Sequence, residues 1–246
     1  KKNAFNYYTD SKTLEFLDDS EIATFEEFSF NHESIERIYL PPKLKEISDS
    51  IFDLYTLSEI SISPQNKYFS LINDGKIIVG KSDINNSNFD IVVFALPCIE
   101  HATIPSNITK VNSKAFANCK SLKTLEFAPN SHLETICQNA FFGLAITKIV
   151  IPDSVKVIEN GAFENYFKTN VEIEISMNSE LQLIGANAFR RSKIKKIFIP
   201  KFVKTIREYA FYDSSLEEIE FAEESQLQKI GMNAFYNNKI SSIVLP

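Results

Sequence analysis

The apolar positions of this chain fall into a frame that repeats. Between residues 146 and 163 they are Ile146, Ile149, Ile151, Val155, Ile158, Ala162 and Phe163. The same frame returns as Ile194, Ile197, Ile199, Val203, Ile206, Ala210 and Phe211. Around Ile149 and Ile151 apolar residues alternate with others, which is the period of a β-strand. Pro152 then ends the strand, because it has no N–H to give to a ladder. The irregular spacing from Ile158 to Phe163 predicts a tight turn or a single helical turn. The small Ala before each Phe lets neighbouring units approach closely while the ring fills the space between them.

The Phe of this frame recurs at Phe116, Phe141, Phe163, Phe189, Phe211 and Phe235, at intervals of 25, 22, 26, 22 and 24 residues. Weaker copies stand at Phe5, Phe30 and Phe52. In short units a Pro closes the strand 11 residues before the Phe: Pro41, Pro105, Pro152 and Pro200. In long units Leu17, Ala128, Ser176 and Ala222 stand 13 residues before it. Short and long units therefore alternate, and the true period is a pair of about 46–48 residues. A unit this small cannot bury its apolar face alone, so it stacks on its neighbours. The expected fold is a repeat solenoid of about ten short parallel strands with tight or helical turns.

With strands aligned by their last apolar residue, two exposed columns emerge. One runs Lys148, Glu172, Lys196, Glu218, with signs alternating from coil to coil. It predicts a charge ladder in which Lys196 lies between Glu172 and Glu218, opposite charges side by side being mildly stabilising. The other runs Tyr39, Ser61, Thr103, Glu126, Val150, Glu174, Phe198, Glu220, Val244. Val150 and Phe198 are apolar residues on a face expected to be wet, which makes them either candidate contact residues or lone exposed apolar side chains that need no explanation. The candidate binding set on this strand face is Tyr39, Glu126, Val150, Glu174, Lys196, Phe198 and Glu220.

Units reading L-x-x-I-x-I-P-x-x-V-x-x-I-x-x-x-A-F resemble the BspA-like leucine-rich repeats of bacterial and protist surface proteins. SLKTLEFAPNSHLETICQNAF and NITKVNSKAF follow that idiom closely. The resemblance covers nearly the whole chain and implies a leucine-rich-repeat-like solenoid. It also implies a cell-surface protein that contacts host, matrix or partner-cell proteins, or copies of itself. The frame breaks once: 40 residues separate Ile60–Ile62 from Ala102–Ile104. Asp74-Gly75 between apolar runs signals a β-hairpin, and FDIVVFAL at 89–96 reads as a further strand. Such inserts belong to the family resemblance, matched here by Asn66, Tyr68, Asp74 and Gly75. Residues 64–101 are thus expected to be a hairpin insert within one coil of a single solenoid spanning 1–246.

Chemistry adds little. An active site needs groups that converge, and the three histidines, His32, His101 and His132, fall in different units and phases. Cys98 and His101 have metal-like spacing but no second pair. Six glycines supply no phosphate-binding fingerprint; Gly161, Gly185 and Gly231 precede Ala-Phe units, where backbone geometry accounts for them. Three cysteines cannot all pair with one another, and small buried thiols are expected. No catalytic residue, metal or cofactor is predicted. The net charge of −6 is mild. RRSKIKKIFIPKFVKTIR (190–207) carries eight Lys/Arg and no acid, but the charge columns match it with acidic neighbours, so nucleic acid is not expected. No apolar run approaches the ~20 residues that span a bilayer.

Asn85 and Asn107 sit in N-x-S/T sequons. Asn3-Ala4-Phe5 reads as the back half of a coil and SSIVLP (241–246) as the front half of another, so the chain is expected to be a fragment of a longer array, exposing Ile243 and Leu245. The function expected is a non-catalytic protein-binding or adhesion module at the cell surface. The alternative is a cytoplasmic structural scaffold packing in a filament or large complex.

Overall fold

The computed structural model describes residues 12–26, 35–48, 56–117, 119–165 and 170–246. Phe5, Phe30, Phe52 and His32 lie outside them. In chain order the strands are β1 (Thr13–Leu14), β2 (Thr24–Phe25), β3 (Arg37–Leu40), β4 (Glu46–Ile47) and β5 (Glu59–Ile62). The insert supplies β6 (Phe69–Ile72), β7 (Ile77–Gly80) and β8 (Ile91–Ala95). Then come β9 (His101–Ile104), β10 (Lys110–Val111), β11 (Thr124–Phe127), β12 (Thr135–Ile136), β13 (Lys148–Ile151) and β14 (Val157–Ile158). The last are β15 (Glu172–Ile175), β16 (Leu183–Ile184), β17 (Lys196–Ile199), β18 (Thr205–Ile206), β19 (Glu218–Phe221) and β20 (Lys229–Ile230). There is no helix among the described residues; the segment before each Phe is a turn.

The chain is a β-solenoid, and each coil gives two strands. The odd-numbered strands outside the insert form the broad face anticipated from the alternating pattern. The two-residue strands form a second ladder that the apolar frame alone does not separate: β10, β12, β14, β16, β18 and β20 pair in parallel, one on the next. It is the I-x-x-I-style frame, Val111, Ile136, Ile158, Ile184 and Ile206, that builds this ladder, and all five are buried.

The Phe anchors form one stack. Phe116, Phe141, Phe163, Phe189, Phe211 and Phe235 follow each other with ring centroids 5.1–5.3 Å apart. All are buried except Phe235, which is partly buried against the same core. Ile149, Ile173 and Ile197 are buried as expected. The residue before each Ala-Phe has a left-handed backbone: Lys114, Asn139, Gly161, Asn187, Tyr209 and Asn233, with φ from 53° to 64°. That explains the recurring Asn or Gly, the residues that tolerate this conformation best. Gly185 has a different reason, because a Cβ there would meet the Glu159 carbonyl carbon at 2.5 Å.

The insert is a three-stranded meander. β6 and β7 pair antiparallel across a turn in which Asn73, Asp74 and Gly75 all have positive φ. β7 then pairs antiparallel with β8, and β8 pairs parallel with β10, so the insert continues the second ladder. It also separates two cores. Ile77, Val79 and Val92 face the large core, whereas Phe69, Ile78 and Phe94 face a smaller one under the N-terminal coils. The Asn73 amide clips the turn to β9, donating to the Thr103 carbonyl at 2.9 Å and accepting its N–H at 3.0 Å. Asn66 ties the entry of the insert to the preceding coil, donating to the Pro41 and Leu44 carbonyls at 2.8 and 3.0 Å.

The ladder of the broad face is not continuous. β9 pairs with β11, β13 with β15, and β17 with β19, but no backbone bond joins β11 to β13 or β15 to β17. The breaks fall where the sequence alternates. After β11 and β19, strands without Pro, the next residue bonds back to the preceding coil: Ala128 N–H to the Ile104 carbonyl at 2.9 Å, and Ala222 N–H to the Ile199 carbonyl at 3.0 Å. Pro152 and Pro200 occupy that place in the short coils and have no N–H to give. Over β9–β19 the coils associate in pairs, whereas in the N-terminal coils β3, which Pro41 follows, pairs with both β1 and β5. Residues 241–246 form no strand, and Ile243 and Leu245 are exposed there.

Candidate binding face and its clefts

Side chains on β9–β19 alternate strictly. In β13 and β15 the second and fourth residues are buried and the first and third are exposed. This period-two pattern puts Glu126, Val150, Glu174, Phe198 and Glu220 in one row and Lys148, Glu172, Lys196 and Glu218 in the next. The register aligns Val150 with Glu174 and Phe198 with Glu220. Val150 is 50% exposed and Phe198 partly buried, so both expected apolar residues lie on the wet face.

The charge ladder is correct within coil pairs and wrong between them. Lys148 Nζ lies 2.5 Å from Glu174 and 3.9 Å from Glu172. Lys196 Nζ lies 2.8 Å from Glu218 and 3.7 Å from Glu220. Lys196 makes no bridge to Glu172, because β15 and β17 are not hydrogen-bonded and the gap between them separates the two rows. Each Lys instead clamps two acids on the following strand. Hydrogen bonding to Glu174 is the main cause that raises the Lys148 pKa, and bonding to Glu218 does the same for Lys196.

Each break opens a cleft. The larger, about 890 Å³, lies between β11 and β13 and is lined by Glu126, Phe127, Val150, Pro152, Asp153 and Glu180, among others. The smaller, about 510 Å³, lies between β15 and β17 and is lined by Glu172, Glu174, Lys193, Lys195, Lys196 and Phe198, among others. The clefts repeat: Glu126 and Glu174 stand 48 residues apart, as do Val150 and Phe198. Five of the seven candidate residues line them. Glu220 sits on the Lys196 clamp. Tyr39 stays apart, in the N-terminal coils, its hydroxyl donating to Asp18 at 2.9 Å. Asp153, Glu180, Lys193 and Lys195 were not singled out by the sequence; the Pro spacing that marks the breaks was the signal that could have found them.

Among the described residues the histidines do not converge. His101 Nδ1 lies 2.9 Å from Thr124 Oγ1 and His132 Nδ1 lies 3.1 Å from the Ser106 carbonyl, in separate coils. Among the described residues no group of three or more His, Cys, Asp or Glu is placed to hold a metal. Cys119 and Cys137 are buried and Cys98 is exposed, and none of the three is in a disulfide. Burial, and secondly the charge of Cys98, pushes the Cys119 thiol up to about 12. No helix among the described residues is long and apolar enough to cross a membrane.

The chain matches a family profile described as the BspA type leucine rich repeat region, in 6 copies, over residues 1–73, 87–217 and 134–246. The chain belongs to the BspA-type leucine-rich-repeat family. No curated protein matches it. Two solved structures share the fold. A leucine-rich repeat protein from Eubacterium ventriosum is 21% identical with a TM-score of 0.65, the alignment covering 88% of this chain and 62% of that one. A leucine rich cell surface protein from Faecalibacterium prausnitzii is 19% identical with a TM-score of 0.56, covering 82% of this chain and 52% of that one. The BspA-type chain thus spans little more than half the length of these relatives.

Proposed function

We propose that this chain is a non-catalytic protein-binding module of a cell-surface protein, contacting host, matrix or other cells through the β9–β19 face. The observation that carries the reading is the pair of clefts where the ladder opens, each with an acid on one wall (Glu126 or Glu174) and an apolar residue on the other (Val150 or Phe198). A parallel ladder closed throughout would offer a flat charged surface. An opened one offers recesses in which partner side chains lose water, the setting in which contact residues contribute most to affinity. Membership of the BspA-type family supports the protein-binding role. The Faecalibacterium prausnitzii relative, itself a cell surface protein, supports the location.

The test has two arms. An antibody against the chain labels intact parent cells if the protein is on the surface; labelling only after permeabilisation favours the cytoplasmic scaffold, the reading that three cysteines outside any disulfide support. Labelled chain is then offered to host cells, partner cells and matrix proteins. Binding that falls at least tenfold in a Val150→Glu/Phe198→Glu variant of unchanged circular dichroism supports this face. Binding that is unaffected contradicts it.

A further inference from the structure

The two clefts differ in the charge left over after ion pairing, and this extends the protein-binding reading, on which it rests. In the β11–β13 cleft the cations are occupied: Lys123 lies 2.5 Å from Glu100 and Lys148 2.5 Å from Glu174. Glu126, Asp153 and Glu180 make no ion pair among the described residues, so this cleft is left acidic. In the β15–β17 cleft the acids are occupied, since Glu172 and Glu174 both face Lys148, and Lys196 is held by Glu218 and Glu220. Lys193 and Lys195 make no ion pair among the described residues; Lys193 reaches only the Ser215 hydroxyl at 3.5 Å. This second cleft is left basic. The exposed Val150 lies between the two.

We propose that the face takes one extended segment of a partner protein, running across the strands along the stacking direction, with a basic side chain over the β11–β13 cleft and an acidic one over the β15–β17 cleft. Small apolar residues of the segment rest on Val150. The spacing sets the conformation. One hydrogen-bonded spacing of ~4.8 Å, between β13 and β15, and half of each wider gap separate the cleft centres, which places them at least about 10 Å apart. A polyproline II segment rises ~3.1 Å per residue with three residues per turn. Residues three apart then share a side at roughly 9 Å, and the segment is ordered before it binds, which limits the entropy lost. Nucleic acid does not fit this surface, because its phosphates would meet Glu126, Asp153 and Glu180 in the larger cleft.

The test uses the whole chain, 15N-labelled, and four blocked peptides: Arg-Pro-Pro-Glu, Glu-Pro-Pro-Arg, Arg-Pro-Pro-Arg and Glu-Pro-Pro-Glu. One mixed-charge peptide, the one whose direction matches the face, is expected to shift the amides of Glu126, Val150 and Lys195 and to bind at least fivefold more tightly than either like-charged peptide. Glu126→Gln with Asp153→Asn is expected to weaken it at least threefold, with circular dichroism unchanged. Four peptides that behave alike, a like-charged peptide that binds best, or shifts confined to other surfaces would each overturn the proposal. Should that happen while Val150→Glu/Phe198→Glu still abolishes cell binding, the charge geometry fails and the contact face stands.

Discussion

Phe163 and Phe189 lie one coil apart with ring centroids 5.3 Å apart and planes 4° from parallel. The Phe163 N–H donates to the Ala188 carbonyl at 2.8 Å, so the small residue before one ring holds the backbone that carries the other. Phe189 is fully buried between Phe163 and Phe211. Phe189→Ala removes a ring from the middle of the stack and is expected to cost ~3–5 kcal/mol in denaturant unfolding. A cost under ~1 kcal/mol would mean that the stack does not hold the coils together.

The two glycines near these rings predict different costs. Gly161 has φ +64°, and a Cβ there would meet the Asn139 amide oxygen at 2.2 Å, a side-chain atom that can move. Gly161→Ala is expected to cost roughly the 1–2 kcal/mol of a left-handed L-residue. At Gly185 the added Cβ would meet backbone of the preceding coil at 2.5, 2.7 and 2.8 Å, which cannot give way without separating the coils. Gly185→Ala should be the more destabilising of the two by thermal melt; the reverse order would contradict the close approach.

The split charge ladder gives a double-mutant cycle with an unequal result. Lys196 with Glu218 should couple, and the coupling should shrink at high salt, since both side chains are exposed. Lys196 with Glu172 should show none. The pH dependence has two edges. Hydrogen bonds and charge from Lys12, Lys123 and Lys201 lower the pKa of Glu36, Glu100 and Glu224 below 4.5. That contribution is present above 4.5 and is lost as pH falls through the lowered values. Glu174, Glu134 and Glu218 raise Lys148, Lys156 and Lys196 above 10.5. Their contribution is complete below 10.5 and is lost as pH rises through the raised values. All these groups are exposed, so both edges should be shallow and flattened by salt.

Thiol labelling tests the packing of the second half of each turn. A soluble alkylating reagent at neutral pH is expected to modify Cys98 quickly and to reach Cys119 and Cys137 only on unfolding. Cys119 is buried against the Ala95 and Leu96 carbonyls at 3.7 and 3.6 Å, with its thiol held up to about 12. Equal rates at all three would show that the coils open locally.

Much of this architecture is legible in the sequence because each coil repeats one physical problem. Phe141, Ile149 and Ile158 each recur at their place in the frame, and a position filled many times by the same kind of residue declares its burial. The left-handed turn is legible too, since Asn139, Asn187 and Asn233 recur where φ is positive. What the pattern of Pro152 and Pro200 holds is subtler. Their strand-ending role is visible in one coil, but the lost ladder bond belongs to the neighbouring coil, and a frame that treats all coils alike predicts a continuous ladder. That frame places Lys196 beside Glu172, across a gap that only the pairing of coils reveals. The clefts share that origin, for Asp153 and Glu180 meet Glu126 across coils whose spacing no single unit encodes. The role of the insert as a wall between two cores was equally hidden, because the alternation Ile77, Ile78, Val79 reads as a plain buried strand until both sides are occupied.

The central claim is that the opened strand face, and not the two-residue ladder, is where this BspA-type chain meets its partner. Photo-crosslinking in intact parent cells tests it most directly, with the photoreactive residue placed at Val150, at Phe198 and, as a control, at Gln182 beside β16. Specific cross-links to one protein from Val150 and Phe198, absent from Gln182, are the predicted result. Cross-links of equal yield from Gln182, or none from the strand face while Gln182 reacts, would contradict the account.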